Sequence, residues 1–237
     1  MVVSVSMWPF VVSVGSLVVV MGVISVGSWG LISGLMLVSV GLWMWAGEDQ
    51  LKWVGVVGEV GNSSGKMGVL IFIFSEFVFF FSLVVSGTYL VEEWDMGEVV
   101  DMEGAPLLIS LVLLSSGVSV TVAHQFLHSG RMLEAGLWEG VTVFLGLLFL
   151  GVQYEEWISN WFEFGDGVGG SLFYFVTGFH GLHVLLGVSL NAMMVIMLVG
   201  GGCNEVGEWK AEGVVWYWHF VDVVWLFVYL VVYWYCM

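Results

Sequence analysis

Long apolar runs, broken by short polar punctuation, organise this chain from end to end. They predict seven helical spans, over 10–27, 29–46, 67–91, 107–127, 137–153, 171–199 and 214–235. Most are near the roughly 20 residues an α-helix needs to cross a bilayer. The continuity of the runs selects helices over a β-barrel, whose strands alternate polar and apolar positions over about ten residues. The break between the first two spans rests on one tight-turn signal, Gly27-Ser28-Trp29-Gly30.

Composition agrees with the pattern. Hydrophobic residues make up 59% of the 237 and charged residues 10%, whereas soluble domains run near 45–50% and 25%. The expected fold class is therefore an all-α membrane protein of seven transmembrane helices, one polytopic domain over residues 1–237. The net charge of −16 comes as much from the scarcity of Lys and Arg, 4 in all, as from the 20 Asp and Glu. The abundant residues, Val, Gly, Trp and Phe, are written mostly with G and T, which points to a strand-biased genome such as an organelle's. With seven spans, Lys52, Lys66, Arg131 and Lys210 all fall in loops on the side of the N-terminus. Glu92, Glu93, Asp95, Glu98, Asp101, Glu103, Glu163 and Asp166 fall in the opposite loops. The positive-inside rule then places the N-terminus inside and the C-terminus outside.

Cys203 and Cys236 form neither a disulfide framework nor a CxxC metal signature. The first apolar run lacks the basic flank of a signal peptide and reads as a mature span. A basic patch is missing as well, so nucleic acid is excluded as a partner.

Polar groups inside the spans each call for a reason, because an ionisable side chain at the bilayer centre costs at least about 2.5–3.5 kcal/mol. Glu76 lies roughly 14 Å into its span, close to mid-bilayer. It is either a proton-handling carboxyl or one hydrogen-bonded between helices. His124 and His128 are spaced i,i+4, and His180 and His183 i,i+3, so each pair can share a helix face. Interhelical hydrogen bonding is the first expectation for them and metal or haem ligation the second. His219 and Asp222 can bond each other across one turn. Trp8, Trp45, Trp216 and Trp218, together with Lys52, are expected at the lipid interface, where Trp concentrates. Gly136-Leu137-Trp138-Glu139-Gly140 matches GxxxG, a weak signal in a Gly-rich chain. No nucleophile–base set, phosphate loop or cofactor motif stands out, and no catalytic or metal residue is expected. On residues alone, a proton-coupled membrane carrier or channel using Glu76, His124 and Asp222 remains open.

Two long segments carry a more specific signal. The run from Asp166-Gly167-Val168-Gly169-Gly170-Ser171 to Gly178-Phe179-His180-Gly181-Leu182-His183-Val184 resembles the subunit III family of haem–copper cytochrome c oxidases. Trp216-Tyr217-Trp218-His219-Phe220-Val221-Asp222-Val223-Val224-Trp225 resembles that family's last helix. Trp8-Pro9, Phe72 to Glu76, and Ser116-Gly117-Val118-Ser119 followed by Ala123-His124 match in the same order. The resemblance implies a V-shaped bundle of two plus five helices that holds phospholipid, and a chain without haem or copper of its own. Haem a and copper would reside in the partner subunits I and II, with accessory subunits of complex IV around them. It further implies stabilisation of the catalytic subunit and support of its proton uptake, in the mitochondrial inner membrane. Gln153 and Glu156 are the polar residues that match the family's fifth helix. Departures are visible too. Only Lys52 stands where basic residues usually follow the second helix, and none precedes Lys210 after the sixth. A Trp and a His expected after the buried Glu are Val85 and Tyr89.

Overall fold

In hydrocarbon every backbone N–H and C=O must be satisfied within the protein, which confines apolar runs of this length to helices. A computed structural model describes residues 7–24, 28–53, 59–89, 104–199 and 208–235. Among these residues seven α-helices follow in order: α1 Trp8–Ile24, α2 Ser28–Trp53, α3 Glu59–Tyr89, α4 Ala105–His128, α5 Met132–Ser159, α6 Gly167–Val199 and α7 Glu208–Val228. A π-helical segment, Tyr229–Tyr235, continues α7. Among the described residues, five helices are long and apolar enough to cross a membrane and two, Trp8–Gly22 and Trp29–Leu42, are shorter apolar helices. The chain divides into two compact units, Met1–Gly58 and Glu59–Met237.

In the first unit α1 packs on α2 through glycines. A Cβ on Gly22 would lie 2.5 Å from the Leu31 amide nitrogen, and one on Gly34 would lie 2.6 Å from that of Val19. Small residues at these positions let the two backbones approach, which is how helices associate when lipid removes the hydrophobic drive. Of the tight turn expected at Gly27-Ser28-Trp29-Gly30, Gly27 lies outside the described residues, and Ser28, Trp29 and Gly30 form the first turn of α2.

The second unit is built around α7, which packs on α3, α4 and α6. Local chemistry sets the helix ends. Pro106 opens α4, where its missing N–H costs nothing. At the other end Gly130 takes φ +74°. Arg131 N–H donates to the Phe126 carbonyl and Gly130 N–H to that of Leu127, each at 3.0 Å. This is a Schellman turn, and it reverses the chain from α4 into α5 within a few residues. Between α5 and α6, Glu163 N–H donates to Asp166 Oδ2 at 2.7 Å and Tyr174 O–H to the Phe162 carbonyl at 2.8 Å. Phe162 is thereby buried against Phe173 and Tyr174.

Trp218 and Trp225 of α7 form the centre of the core; both are fully buried. The Trp218 indole fills a socket that only glycines permit. A Cβ on Gly146 of α5 would meet its ring at 2.8 Å, and one on Gly187 of α6 at 2.7 Å. Trp218 Nε1–H donates to Ser116 Oγ, and Trp225 Nε1–H to Ser110 Oγ, both at 2.9 Å. Those serines pass the bond on to the carbonyls of Leu113 and Pro106 of their own helix. The expectation that Trp218 sits at the lipid interface is thus corrected. Its sequence neighbourhood is aromatic, but glycines on two facing helices make room for it and a buried serine satisfies its N–H. Trp8 and Trp216 are half-buried. The side chains of Trp45 and Lys52 lie outside the described residues.

On the outer face, Phe74, Phe77 and Phe81 of α3 and Leu182 and Leu186 of α6 are exposed. Hydroxyls on α3 bond back to their own helix, Ser75 to the Phe72 carbonyl and Ser82 to that of Phe79. Both arrangements suit lipid, which offers a polar group no other partner.

The socket generates a direct test. Gly187→Val drives a side chain into the Trp218 ring and lowers the thermal unfolding midpoint in detergent micelles sharply. Ser116→Ala removes one interhelical hydrogen bond and costs only about 0.6 kcal/mol. An unchanged midpoint for Gly187→Val would refute the packing.

Candidate functional site

The polar residues of the second unit gather in several small clusters. Glu76 of α3 places Oε2 3.2 Å from Nε2 of His183 on α6. His183 Nδ1–H donates to the Phe179 carbonyl at 2.9 Å, which fixes the tautomer. A neutral His183 therefore presents a bare Nε2 to Glu76. The contact is a hydrogen bond only if one proton lies between the two groups, on the carboxyl or on the imidazole. Phe80, Phe179 and Tyr217 pack around the His183 ring.

His180, one turn earlier, does not join this pair. It is fully buried among Phe80, Phe149 and Trp225, and neither ring nitrogen has a hydrogen-bond partner. Toward the other end of α5, Gln153 Nε2–H donates to Glu156 Oε2 at 3.0 Å, and Tyr233 O–H donates to the same oxygen at 3.2 Å. All three side chains are buried. The π-helical segment carries Tyr233 into this contact.

His219 and Asp222 do not form the hydrogen bond expected of them. Nδ1 and Oδ2 are 3.9 Å apart, too far for a hydrogen bond. His219 Nε2 instead meets Thr121 Oγ1 at 3.2 Å, and that hydroxyl donates to the Gly117 carbonyl at 2.8 Å. The hydroxyl's own proton being committed, His219 is the donor, and its Nδ1 is left bare towards Asp222. Asp222 is buried with Oδ1 unpartnered, and its Oδ2 lies where a Cβ on Gly117 would stand. His124 and His128 face each other, Nε2 to Nε2, at 3.2 Å. Two turns into α3, Lys66 forms an ion pair with Glu212 of α7 at 2.6 Å.

Sequence reasoning missed Glu139 as a polar site. It is 4% exposed and borders a cavity of about 10 Å³ with Ala123, His124, Met194 and Leu198. That is close to the space of one water. Span five was expected from Leu137, which would put Glu139 at headgroup depth. The helix in fact starts at Met132, so Glu139 lies two turns inside it. An acidic residue within a GxxxG match was the available signal.

Among the described residues no three His, Cys, Asp or Glu side chains converge as a metal site. What the arrangement offers is a carboxyl–imidazole pair between α3 and α6 and a carboxyl of α5 bonded by Tyr233 of the segment after α7, contacts that link helices and can hold a proton.

Among the described residues Glu139 has no hydrogen-bond partner, so Glu139→Leu, of similar size, should raise the unfolding free energy by about 1–3 kcal/mol. Denaturation of the two forms in the same detergent checks this, and a less stable variant would show that the carboxyl has a bound partner.

Comparison with known proteins gives the family of the chain. The family model for cytochrome c oxidase subunit III matches residues 1–237. A cytochrome c oxidase subunit 3 from Allomyces macrogynus is 34% identical over 251 residues, covering 96% of this chain and 90% of the relative. One from Lycodon semicarinatus is 33% identical, with 97% and 94% covered. One from Mus musculus is 38% identical over 180 residues, with 71% and 69% covered. The chain belongs to the cytochrome c oxidase subunit III family, whose members are multi-span, non-catalytic subunits without a redox centre.

Proposed function

We propose that the chain stabilises the catalytic subunit of cytochrome c oxidase and supports its proton uptake during oxygen reduction. The observation that carries this reading is the Glu76–His183 pair, two ionisable groups on different helices that need one shared proton to bond. Such a pair can rigidify α3 against α6 and hold a proton near the mid-bilayer. Haem a and copper belong to subunits I and II, the partners expected with the accessory subunits of complex IV. The setting is the mitochondrial inner membrane, as the organelle-like composition and the subunit III relatives suggest. The four basic residues support an N-terminus on the matrix side and a C-terminus in the intermembrane space.

Bound phospholipid is part of the proposal, but with few cations to hold anionic headgroups. Lys66 is paired with Glu212, Arg131 with Glu134, and Lys210 is engaged as well. Neutral headgroups and acyl packing on the exposed Phe and Leu of α3 and α6 fit this surface better. A free-standing carrier or channel is disfavoured. Family membership places the chain in an oxidase, and Glu76, His124 and Asp222 each engage a separate neighbour.

Gentle detergent extraction followed by pull-down of this chain should bring haem a absorption and two larger membrane subunits. A colourless chain without partners would overturn the assignment. Glu76→Gln should assemble and turn over almost normally, because the Gln amide N–H can donate to the bare His183 Nε2. Complete loss of proton pumping in that variant would instead make Glu76 a direct relay. His219→Leu removes the imidazole beside Asp222 and its bond to Thr121, and the amount of assembled complex on native gels should fall.

A further inference from the structure

Among the described residues the side chains of His124 and His128 are hydrogen-bonded to each other and to no other helix. They lie on one face of the last turn of α4, with Nε2 atoms 3.2 Å apart, ring centroids 4.5 Å apart and ring planes 76° apart. His128 is exposed and His124 half-buried, so the pair opens to the surface at this end of the bundle. The Schellman turn closes the helix just beyond His128 and holds the last turn in register.

We propose that this pair is a chelating site for a divalent transition-metal ion of the imidazole-preferring class, Cu²⁺, Ni²⁺ or Zn²⁺. Two imidazole nitrogens bound at about 2.0–2.1 Å stand roughly 3.3–3.4 Å apart on a tetrahedral ion such as Zn²⁺ and roughly 2.8–3.0 Å apart at neighbouring positions of a tetragonal ion such as Cu²⁺ or Ni²⁺. The two Nε2 atoms, 3.2 Å apart, lie between those separations, so either ion enters with only a small movement of the rings. Without metal, one Nε2–H donates to the other Nε2. On binding, that proton transfers through solvent to the same ring's Nδ1, and both Nε2 lone pairs face the ion with no net proton released.

The surroundings admit a cation. Glu212 of α7 is close enough to act electrostatically on His124, and its partner Lys66 offsets part of its charge. His219 also acts on His124, from α7. No third His, Cys, Asp or Glu converges here among the described residues, so water completes the coordination. The site is therefore open and exchangeable, unlike a closed structural zinc centre. Cu²⁺ is the strongest binder expected of such a donor set.

The test titrates Cu²⁺ into the full chain in detergent micelles and reads the electron paramagnetic resonance spectrum. One Cu²⁺ per chain with hyperfine coupling to two equivalent nitrogens is the expected result. His128→Gln should weaken binding at least about tenfold, since even loss of an outer-shell partner of a metal ligand costs that much. Because His128 is exposed, circular dichroism should show unchanged helix content. Gln125→His added to His128→Gln restores the number of histidines but not the facing pair, because neighbours at i,i+1 diverge. That double variant should stay weak. Equal binding by wild type and His128→Gln, recovery in the double variant, or no ordered Cu²⁺ in the wild type would each overturn the site.

Discussion

The five-helix unit depends on how Trp218 is seated. A large indole at the centre of a membrane bundle gains little from leaving lipid, since lipid tails are as apolar as any side chain. What it gains is contact, and contact requires that neighbouring helices have space shaped for it. Gly146 and Gly187 provide the space and Ser116 takes the N–H. Trp225 repeats the arrangement two turns on with Ser110, against Phe149 and His180. These two residues tie α7 to three other helices at once, and the weaker polar pairs are arranged around that joint.

Each polar pair is tolerable because its partner is already held. Glu76 meets His183, whose tautomer the Phe179 carbonyl has fixed. Glu156 accepts from Gln153 and Tyr233, two donors from different segments. Other buried polar atoms have no partner among the described residues: both His180 ring nitrogens, Asp222 Oδ1, Asn191 Oδ1, and the second oxygens Gln153 Oε1 and Glu156 Oε1. Such groups destabilise an isolated bundle, and persist where a function or a subunit interface compensates. That fits a chain whose working state is one part of an oxidase.

The helices were legible in the sequence because lipid leaves an apolar run no alternative to intrahelical bonding, so hydrophobicity alone fixes the element. The family was legible because two motifs run nearly unbroken through α6 and α7. Polar partnerships were much less so. Glu76 stood out by its depth, but nothing in its own helix names His183, which lies 107 residues away. Trp218 and Trp216 are two residues apart in the same aromatic run, and only the glycines of α5 and α6 separate a core residue from a half-buried one. Glu139 escaped because helix ends follow capping and turn chemistry rather than hydrophobicity, and a start five residues early changes the depth of all that follows.

The order of the parts along the chain has a consequence for biosynthesis. Ser110, Ser116, Gly146 and Gly187 are all translated before Trp218 and Trp225. A nascent chain that has inserted α3 to α6 thus carries an empty socket and two serines whose indole partners are still inside the ribosome. The five-helix unit can close only once the last helix enters the membrane, so premature termination leaves an intermediate with a ready-made vacancy for quality control to recognise.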